Sequence, residues 1–392
     1  MPRFPKFADR LNALSGSVFE KFLPKMREKG DDMIKLHIGD SYLPPPYRLP
    51  IDEKFLQTHP YFNRYCNTLG IAELRQALAE KLSEDNCLPV RSGDIMMTCG
   101  ASNALNVSMM SLVNPGEEVL VLTPCWPFFL GMVRVAGGIP VEIPFYTQLY
   151  ENASLNIFDY IEQFVTPKTT ALYLNSPNNP SGKVLNREQL GQIAALAKKH
   201  RLWLISDEAY DGMTFDGHEH ISPASLPEMF ARTLSIFTFS KVYMFAGLRL
   251  GYVAAPEETL KNLNKMLVHQ LYSPSTLAQQ MLVEPVKQRK QWGGDFVQHC
   301  HELRDIFIRN LRAPHIVPEG AYYLFFSIKD VLKGRDYWQV VDECLDSGVS
   351  IAPGKDFGKN FSDYIRLCFA GENPDRLKIG VKRLNAVLMS ER

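Results

Sequence analysis

An amine does chemistry in a protein where burial strips its proton, and Lys241 has the setting for that. It follows Ser240 at the end of an apolar run, Leu234–Phe239, and enters a loop that continues into Gly247-Leu248-Arg249-Leu250-Gly251-Tyr252. A lysine leaving a buried strand for a glycine-bearing loop is partly desolvated, which lowers its pKa and suits it to condense with a carbonyl. Read alone, it also fits an ordinary surface lysine.

Other patterns stand at the ends of other apolar runs. Ile205-Ser206-Asp207-Glu208-Ala209-Tyr210 closes one of them. A carboxylate at the C-terminal end of a strand points into the crevice where open α/β sheets bind ligands. Asp207 could hold a pyridinium N–H and keep that ring an electron sink, with Tyr210 donating its phenol to a ring oxygen. A helix cap or a metal ligand is the alternative for such an acid. Asn175-Ser176-Pro177-Asn178-Asn179-Pro180-Ser181-Gly182 follows Ala171–Leu174 as a rigid loop. Asn179 is a neutral donor suited to a phenolate oxygen, and the same Pro and Gly content also makes a plain turn. Cys99-Gly100-Ala101-Ser102-Asn103-Ala104-Leu105 is a strand-to-helix junction. Its free N–H groups and its hydroxyl make a phosphate seat, or simply a cap.

Such patterns need strands to carry them. Ile95–Cys99, Glu118–Thr123, Pro140–Ile143, Ala171–Asn175, Trp203–Asp207, Leu234–Phe239 and Arg249–Ala254 are short runs, aliphatic or β-branched on both faces, as strands covered on both sides are. Helical patterns such as Ala104–Leu112 and Arg187–Lys199 lie between them, and the alternation predicts an α/β architecture with a largely parallel sheet. Beyond residue 256 the character changes. Helices are expected over Pro256–Met266, Gln288–Leu311 and Pro374–Met389, and strands over Tyr322–Ile328, Val349–Ala352 and Tyr364–Phe369, a smaller α+β unit. Leu11, Leu14, Val18, Phe19 and Phe22 read as a helical arm that joins this unit. The expected division is an arm over 1–45, a large domain over 46–270 and a small domain over 271–392.

Composition narrows the partners. A chain of 392 residues is too long for one ordinary core. Lys plus Arg (43) equals Asp plus Glu (43), so no global field draws nucleic acid or an anionic membrane. The seven cysteines include no C-x-x-C pair and read as reduced thiols of a cytoplasmic protein. The opening MPRFPKFADR lacks the apolar stretch of a secretory signal, and no run reaches membrane-spanning length. The histidines show no metal spacing: His299 and His301 flank Cys300 on an expected helix, where alternate positions face different sides. The proline cluster Leu43-Pro44-Pro45-Pro46 reads as a stiff connector.

Taken together and in order, these patterns resemble the fold-type I aminotransferases dependent on pyridoxal 5′-phosphate, from about Leu36 to near the C-terminus. Further landmarks are Tyr65 with Gly70 and Leu74-Arg75, Thr123-Pro124-Cys125-Trp126, Pro318-Glu319-Gly320-Ala321 and Tyr364-Ile365-Arg366-Leu367. The resemblance implies a seven-stranded, mostly parallel sheet and a homodimer that passes an amino group from an L-amino acid to a 2-oxo acid. It implies that Lys241 holds the cofactor and moves the substrate's α-proton, and that Asp207 pairs with the pyridine nitrogen. Asn179 and Tyr210 would bond the 3′-oxygen, and Trp126 would stack on the ring. Ala101, Ser102, Asn103, Thr238, Ser240 and Arg249 would seat the phosphate, with Tyr65 reaching across to the other subunit's. Arg366 would clamp the substrate carboxylate with a bidentate fork, and Gly39 would let substrate approach the backbone.

Two places depart from the family pattern. Asp40-Ser41-Tyr42 stands where an acid-Pro-Asp run is frequent, and Cys125 stands where an aromatic is. Both lie where side-chain pockets are built, so they bear on substrate and not on cofactor. A lyase or cyclising synthase would share every cofactor residue, and a non-catalytic effector-binding module would share the fold.

Overall fold

After a two-residue strand, β1 (Ile34–Lys35), the apolar runs become β2 (Ile95–Thr98), β3 (Glu118–Thr123), β4 (Ile139–Pro144), β5 (Thr169–Asn175), β6 (Trp203–Asp207), β7 (Thr233–Thr238) and β8 (Gly251–Ala254). The structure is a computed structural model that describes residues 5–14, 22–49 and 52–390. β2 to β8 form one sheet in the order β2-β8-β7-β6-β5-β3-β4, parallel throughout except for the two antiparallel ladders of β8. This is the mostly parallel α/β sheet that the alternation of runs and helices predicts.

Alternation along the strands sends side chains to two cores. Val119 and Val121 of β3 pack with the helices Gly100–Leu112, Pro127–Val135 and Glu257–Leu271 on one face. Leu120 and Leu122 pack with the helix Arg187–Lys199 on the other. That last helix starts on a capping box: Asn186 accepts from the Gln189 N–H at 2.9 Å, and Gln189 accepts from the Asn186 N–H at 3.0 Å.

The direction of β8 has a functional consequence. β2, β3, β5, β6 and β7 all end at one edge of the sheet, and antiparallel β8 begins there, with Thr98 and Thr238 both registered on Gly251. The expected site motifs at these strand ends therefore open onto the same edge.

A second layer holds β9 (Tyr323–Ser327), β10 (Val349–Ser350), β11 (Ala352–Pro353) and β12 (Tyr364–Cys368). β11, β12 and β9 make an antiparallel sheet with β12 in the middle, and β10 pairs with β1. The single strand expected over Val349–Ala352 thus divides between two sheets at Ile351. Its apolar core includes Ile34, Leu303, Phe307, Val340 and Leu384, drawn from β1 and from the helices Arg289–Asn310, Tyr337–Asp346 and Pro374–Leu388.

The helical arm is corrected in part. Residues Asp9–Ala13 form a 3-10 turn in place of α-helix, with Leu11 and Leu14 exposed. Leu14 lies over Gly131 of the large layer, and Phe22 lies near the ring of Trp338 in the small one; Val18 and Phe19 lie outside the described residues. His299 and His301 take different partners, the Tyr42 hydroxyl at 2.8 Å and the Asp216 carboxylate at 3.1 Å. Among the described residues no helix is long and apolar enough to cross a membrane.

Candidate active site

Lys241 lies three residues past the end of β7 and points back toward the small layer. Its Nζ donates to the Gly39 carbonyl at 2.7 Å and lies 5.7 Å and 5.6 Å from the ring centres of Tyr210 and Tyr322. Burial among these groups pushes the amine down to about 8, against the pull of the Asp40 carboxylate. A neutral amine is therefore accessible near physiological pH.

Asp207 ends β6 and is 5% exposed. Its Oδ2 accepts from the Tyr173 hydroxyl at 2.9 Å and its Oδ1 from the Ala209 N–H at 3.2 Å. Burial pushes its carboxyl up to about 6; the Tyr173 and Ala209 hydrogen bonds oppose that rise. Two donors with room for more acceptance make Asp207 a carboxylate prepared for a further N–H.

Tyr210 sits three residues further on. Its hydroxyl shares a 2.8 Å hydrogen bond with that of Tyr323. Asn179 is fixed by its own loop, its N–H donating to Asn175 Oδ1 at 2.7 Å, and Asn175 in turn donates its amide to the Asp207 carbonyl at 2.8 Å. The Asn loop and the Asp207 strand end are therefore one hydrogen-bonded unit.

Arg366 comes from the central strand of the small sheet, β12. One terminal nitrogen donates to Asn179 Oδ1 at 3.1 Å and the other to the His37 carbonyl. The guanidinium lies between two rings, 4.5 Å from the centre of Tyr323 and 4.9 Å from that of Phe357. Its buried Nε has no hydrogen-bond partner among the described residues. The segment from His37 to Gly39 thus offers one carbonyl to Arg366 and another to Lys241. Gly39 itself is pressed against the Tyr323 hydroxyl, which leaves no room for a side chain.

The remaining residues gather where β2, β8 and β7 meet. A Cβ on Gly251 would stand 2.7 Å from the Ala101 nitrogen, and one on Gly100 would stand 3.0 Å from the Arg249 guanidinium. The helix Gly100–Leu112 therefore starts directly over β8, with Arg249 beside it. Thr238 donates to Ser240 Oγ at 3.0 Å on the adjoining strand end. Ser102 lies in the same first turn, half-buried. The Asn103 side chain is committed elsewhere, accepting from the Cys99 N–H at 3.1 Å and donating to Gln270 at 3.0 Å. Trp126 is half-buried at the start of the helix Pro127–Val135, after Cys125, whose N–H donates to the Phe357 carbonyl at 3.0 Å. Tyr65 stands apart: it is 84% exposed, its ring edge-on to Tyr272 at 4.9 Å.

Tyr173, Tyr322, Tyr323 and Phe357 touch the site residues and were not expected from sequence. Only Tyr173 had a signal, since it precedes Asn175 by two on a strand and so shares its face.

A family profile for aminotransferases of class I and II matches residues 31–384. The chain is 31% identical to an aspartate aminotransferase of Pyrococcus abyssi over 98% of this chain and 99% of the relative. It is also 31% identical to aromatic-amino-acid aminotransferase 2 of Thermococcus litoralis, with the same shares covered. A solved aspartate aminotransferase from Thermus thermophilus with maleate superimposes with a TM-score of 0.86 at 29% identity, over 98% of this chain and all (100%) of the other. The aromatic aminotransferase from Pyrococcus horikoshii gives 0.85 at 31% identity, over 97% and 98%. The chain belongs to the class I and II aminotransferase family.

It is a transaminase dependent on pyridoxal 5′-phosphate, the cofactor that enzymes of this family use. The donor set fits that group: a depressed lysine amine, a buried carboxylate with spare acceptor capacity, and a tight helix start beside an arginine.

Proposed function

We propose that this crevice transfers an amino group from an L-amino acid to a 2-oxo acid, with Lys241 moving the proton at the substrate's α-carbon. The observation that carries this reading is the placement of the Lys241 amine, which donates to the Gly39 carbonyl two residues from the His37 carbonyl that accepts from Arg366. Pyridoxal phosphate supplies a carbonyl for the amine and an electron sink for the carbanion that deprotonation leaves.

The residues divide the rest. Asp207 holds the pyridine N–H, and Asn179 and Tyr210 hold the 3′-oxygen. The N–H groups of Ala101, Ser102 and Asn103 seat the phosphate together with Thr238, Ser240 and Arg249; the committed side chain of Asn103 limits it to its backbone. Trp126 covers the ring face. Arg366 clamps the α-carboxylate, its sandwich between Tyr323 and Phe357 fixing the plane of the fork, and Gly39 keeps the approach open. The exposure of Tyr65 suits a role across a homodimer, and its variant Tyr65→Phe, mixed with Lys241→Ala, should regain activity per intact lysine once subunits exchange. A cytoplasmic enzyme acting on small substrates, with neither nucleic acid nor membrane as partner, accords with the balanced charge.

The relatives are named for aspartate and for aromatic amino acids. We place aromatic substrates first. Rings surround Arg366, and the carboxylates of Asp40 and Asp356 lie toward Lys241 and Arg366, the wrong sign for a second substrate carboxylate. Comparing kcat/KM for phenylalanine and aspartate tests this; a preference for aspartate overturns it. The reaction class is tested by a half-reaction without acceptor. A transaminase releases one oxo acid per subunit and no ammonia, whereas continuous ammonia release would make the enzyme a lyase.

A further inference from the structure

β5 carries a buried tyrosine that touches the Asp207 carboxylate. Tyr173 pairs with Ile205 across the β5–β6 ladder, while Asn175 pairs with Asp207. Residues two apart share a face, so the Tyr173 ring lies diagonally beneath the Asp207 carboxylate, within reach for a long side chain. It uses that reach: the hydroxyl donates to Asp207 Oδ2 at 2.9 Å with both groups buried. The ring is held by Phe129, stacked at 3.7 Å between centres and 18° between planes. Such an arrangement leaves the phenol little choice of acceptor.

We infer that Tyr173 is a positioning residue for this reaction, fixing the orientation and the ionised state of Asp207 so that the carboxylate can hold the ring nitrogen of the cofactor. The inference rests on the assignment of Asp207 to that nitrogen. Its physical basis is that a hydrogen bond to a carboxylate favours the charged form. Asp207 needs the help. Desolvation disfavours its charge, and Glu208, fully buried beside it, adds a like charge, while Lys241 works in the other direction. The other buried groups near the phenol, Cys125 and Tyr146, are neutral, their ionisation disfavoured by burial. Tyr173 keeps its proton for the same reason, so it remains a donor across the working pH range.

Tyr173→Phe removes one oxygen and keeps the stack. Holoenzyme and apoenzyme of wild type, Tyr173→Phe, Asp207→Asn and the double variant form a cycle read by the cofactor dissociation constant. A second readout is the pH midpoint of the bound cofactor's absorbance change. The expected result is an about tenfold weaker cofactor affinity in Tyr173→Phe. The midpoint should move upward, because a ring nitrogen held less firmly in its protonated form withdraws less charge. In the Asp207→Asn background the same substitution should do nearly nothing. Equal effects in both backgrounds, or none in either, would overturn the inference. If Asp207→Asn itself moves neither readout, the assignment of Asp207 fails and the role of Tyr173 falls with it. Should the phenylalanine variant fold poorly, 3-fluorotyrosine at position 173 is the second probe. It keeps the shape and is a stronger donor, so the midpoint should move downward; an unchanged midpoint counts against the inference.

Discussion

Two clusters of charges in this molecule are treated in opposite ways. At the back of the Tyr210 segment, Arg304 reaches from the helix Arg289–Asn310 to Asp216 at 3.0 Å, to Asp305 at 2.8 Å and to the Pro318 carbonyl at 3.2 Å. Burial works against its charge, but the hydrogen bonds to Asp216 and Asp305 outweigh it and raise the guanidinium's pKa. Asp216 is lowered, chiefly by the hydrogen bond from Arg304. In the crevice the signs reverse: Lys241 is pushed down to about 8 and Asp207 up to about 6, each toward neutrality and each mainly by burial. The clamp holds the layers together, while the crevice keeps charges unmatched until a ligand supplies their partners. Removing a charge from the two places should therefore have opposite effects on stability and on turnover.

The largest expected effect is at Lys241. Lys241→Ala removes both the covalent anchor and the proton carrier, and turnover should fall by about four orders of magnitude. The melting temperature of the apoenzyme should hold or rise, because the lost group was a desolvated amine. Steady-state assay and thermal melts check both, and a variant that turns over normally ends the assignment.

Asp207→Asn should lower turnover by about 10²–10³-fold and yet stabilise the apoenzyme at neutral pH. The sign follows from the shift. An aspartate ordinarily titrates near 3.8, and here near 6, so between those values the folded state holds more protons than the unfolded chain. Wild-type stability therefore falls as pH rises through that window, and the penalty is complete above it. Asparagine does not titrate, so the stability gap should open over the same window to about 1–3 kcal/mol. Its NH₂ must face either Tyr173 or the Ala209 N–H, which offsets part of the gain. Denaturation of both apoenzymes at several pH values reads the slope, and a flat difference would contradict it.

How far the sequence leads depends on whether a residue's role is local. Lys241, Asp207 and Asn179 are legible because each ends or follows a strand buried on both faces, and the parallel ladders bring those ends together. Arg366 was reached through a motif of the small layer, whose meeting with Asn179 no local pattern encodes. Tyr322, Tyr323 and Phe357 are aromatics in apolar stretches and look like core; their work is the polar tip or the ring face, visible only once the layers meet. Helices Ala72–Asp85, Thr276–Lys287 and Tyr337–Asp346 likewise lie outside the elements expected from local pattern. The second of these carries Pro285 near its end, which in sequence reads as a break.

Arg366→Lys lies between the two regimes, a buried charge both sandwiched and partly unpartnered. Replacing a planar fork by a point charge should cost about 1.5–3 kcal/mol of substrate binding, roughly a ten- to hundredfold rise in KM, with cofactor loading intact. Substrate titrations and cofactor absorbance separate the two. Cofactor release with unchanged substrate affinity would move Arg366 to the other site.

The smallest effect on catalysis, and the one that closes the comparison, is expected at Arg304. Arg304→Met keeps most of the volume in a place 3% exposed and removes the charge. Asp216 and Asp305 have side chains 47% and 38% exposed, so both can turn to water when their partner goes. The cost is therefore below that of stranding a buried carboxylate, about 1–3 kcal/mol of stability. Because Arg304 lowers Asp216, the loss should be present above the ordinary carboxylate range and shrink as pH falls through Asp216's depressed value. The Asp207→Asn gap also grows as pH rises but has the opposite sign, a gain in stability, because there a charge is being removed from an unfavourable site. Arg304 touches neither Lys241 nor Asp207, and the Tyr210 hydroxyl keeps its Tyr323 partner, so turnover should stay near wild type at temperatures where the variant is folded. Melts across pH together with kcat measured well below the transition decide the matter. A variant as stable as wild type would mean that the Arg304 clamp is replaceable, and one that is stable but inactive would mean that it shapes the Tyr210 segment for chemistry.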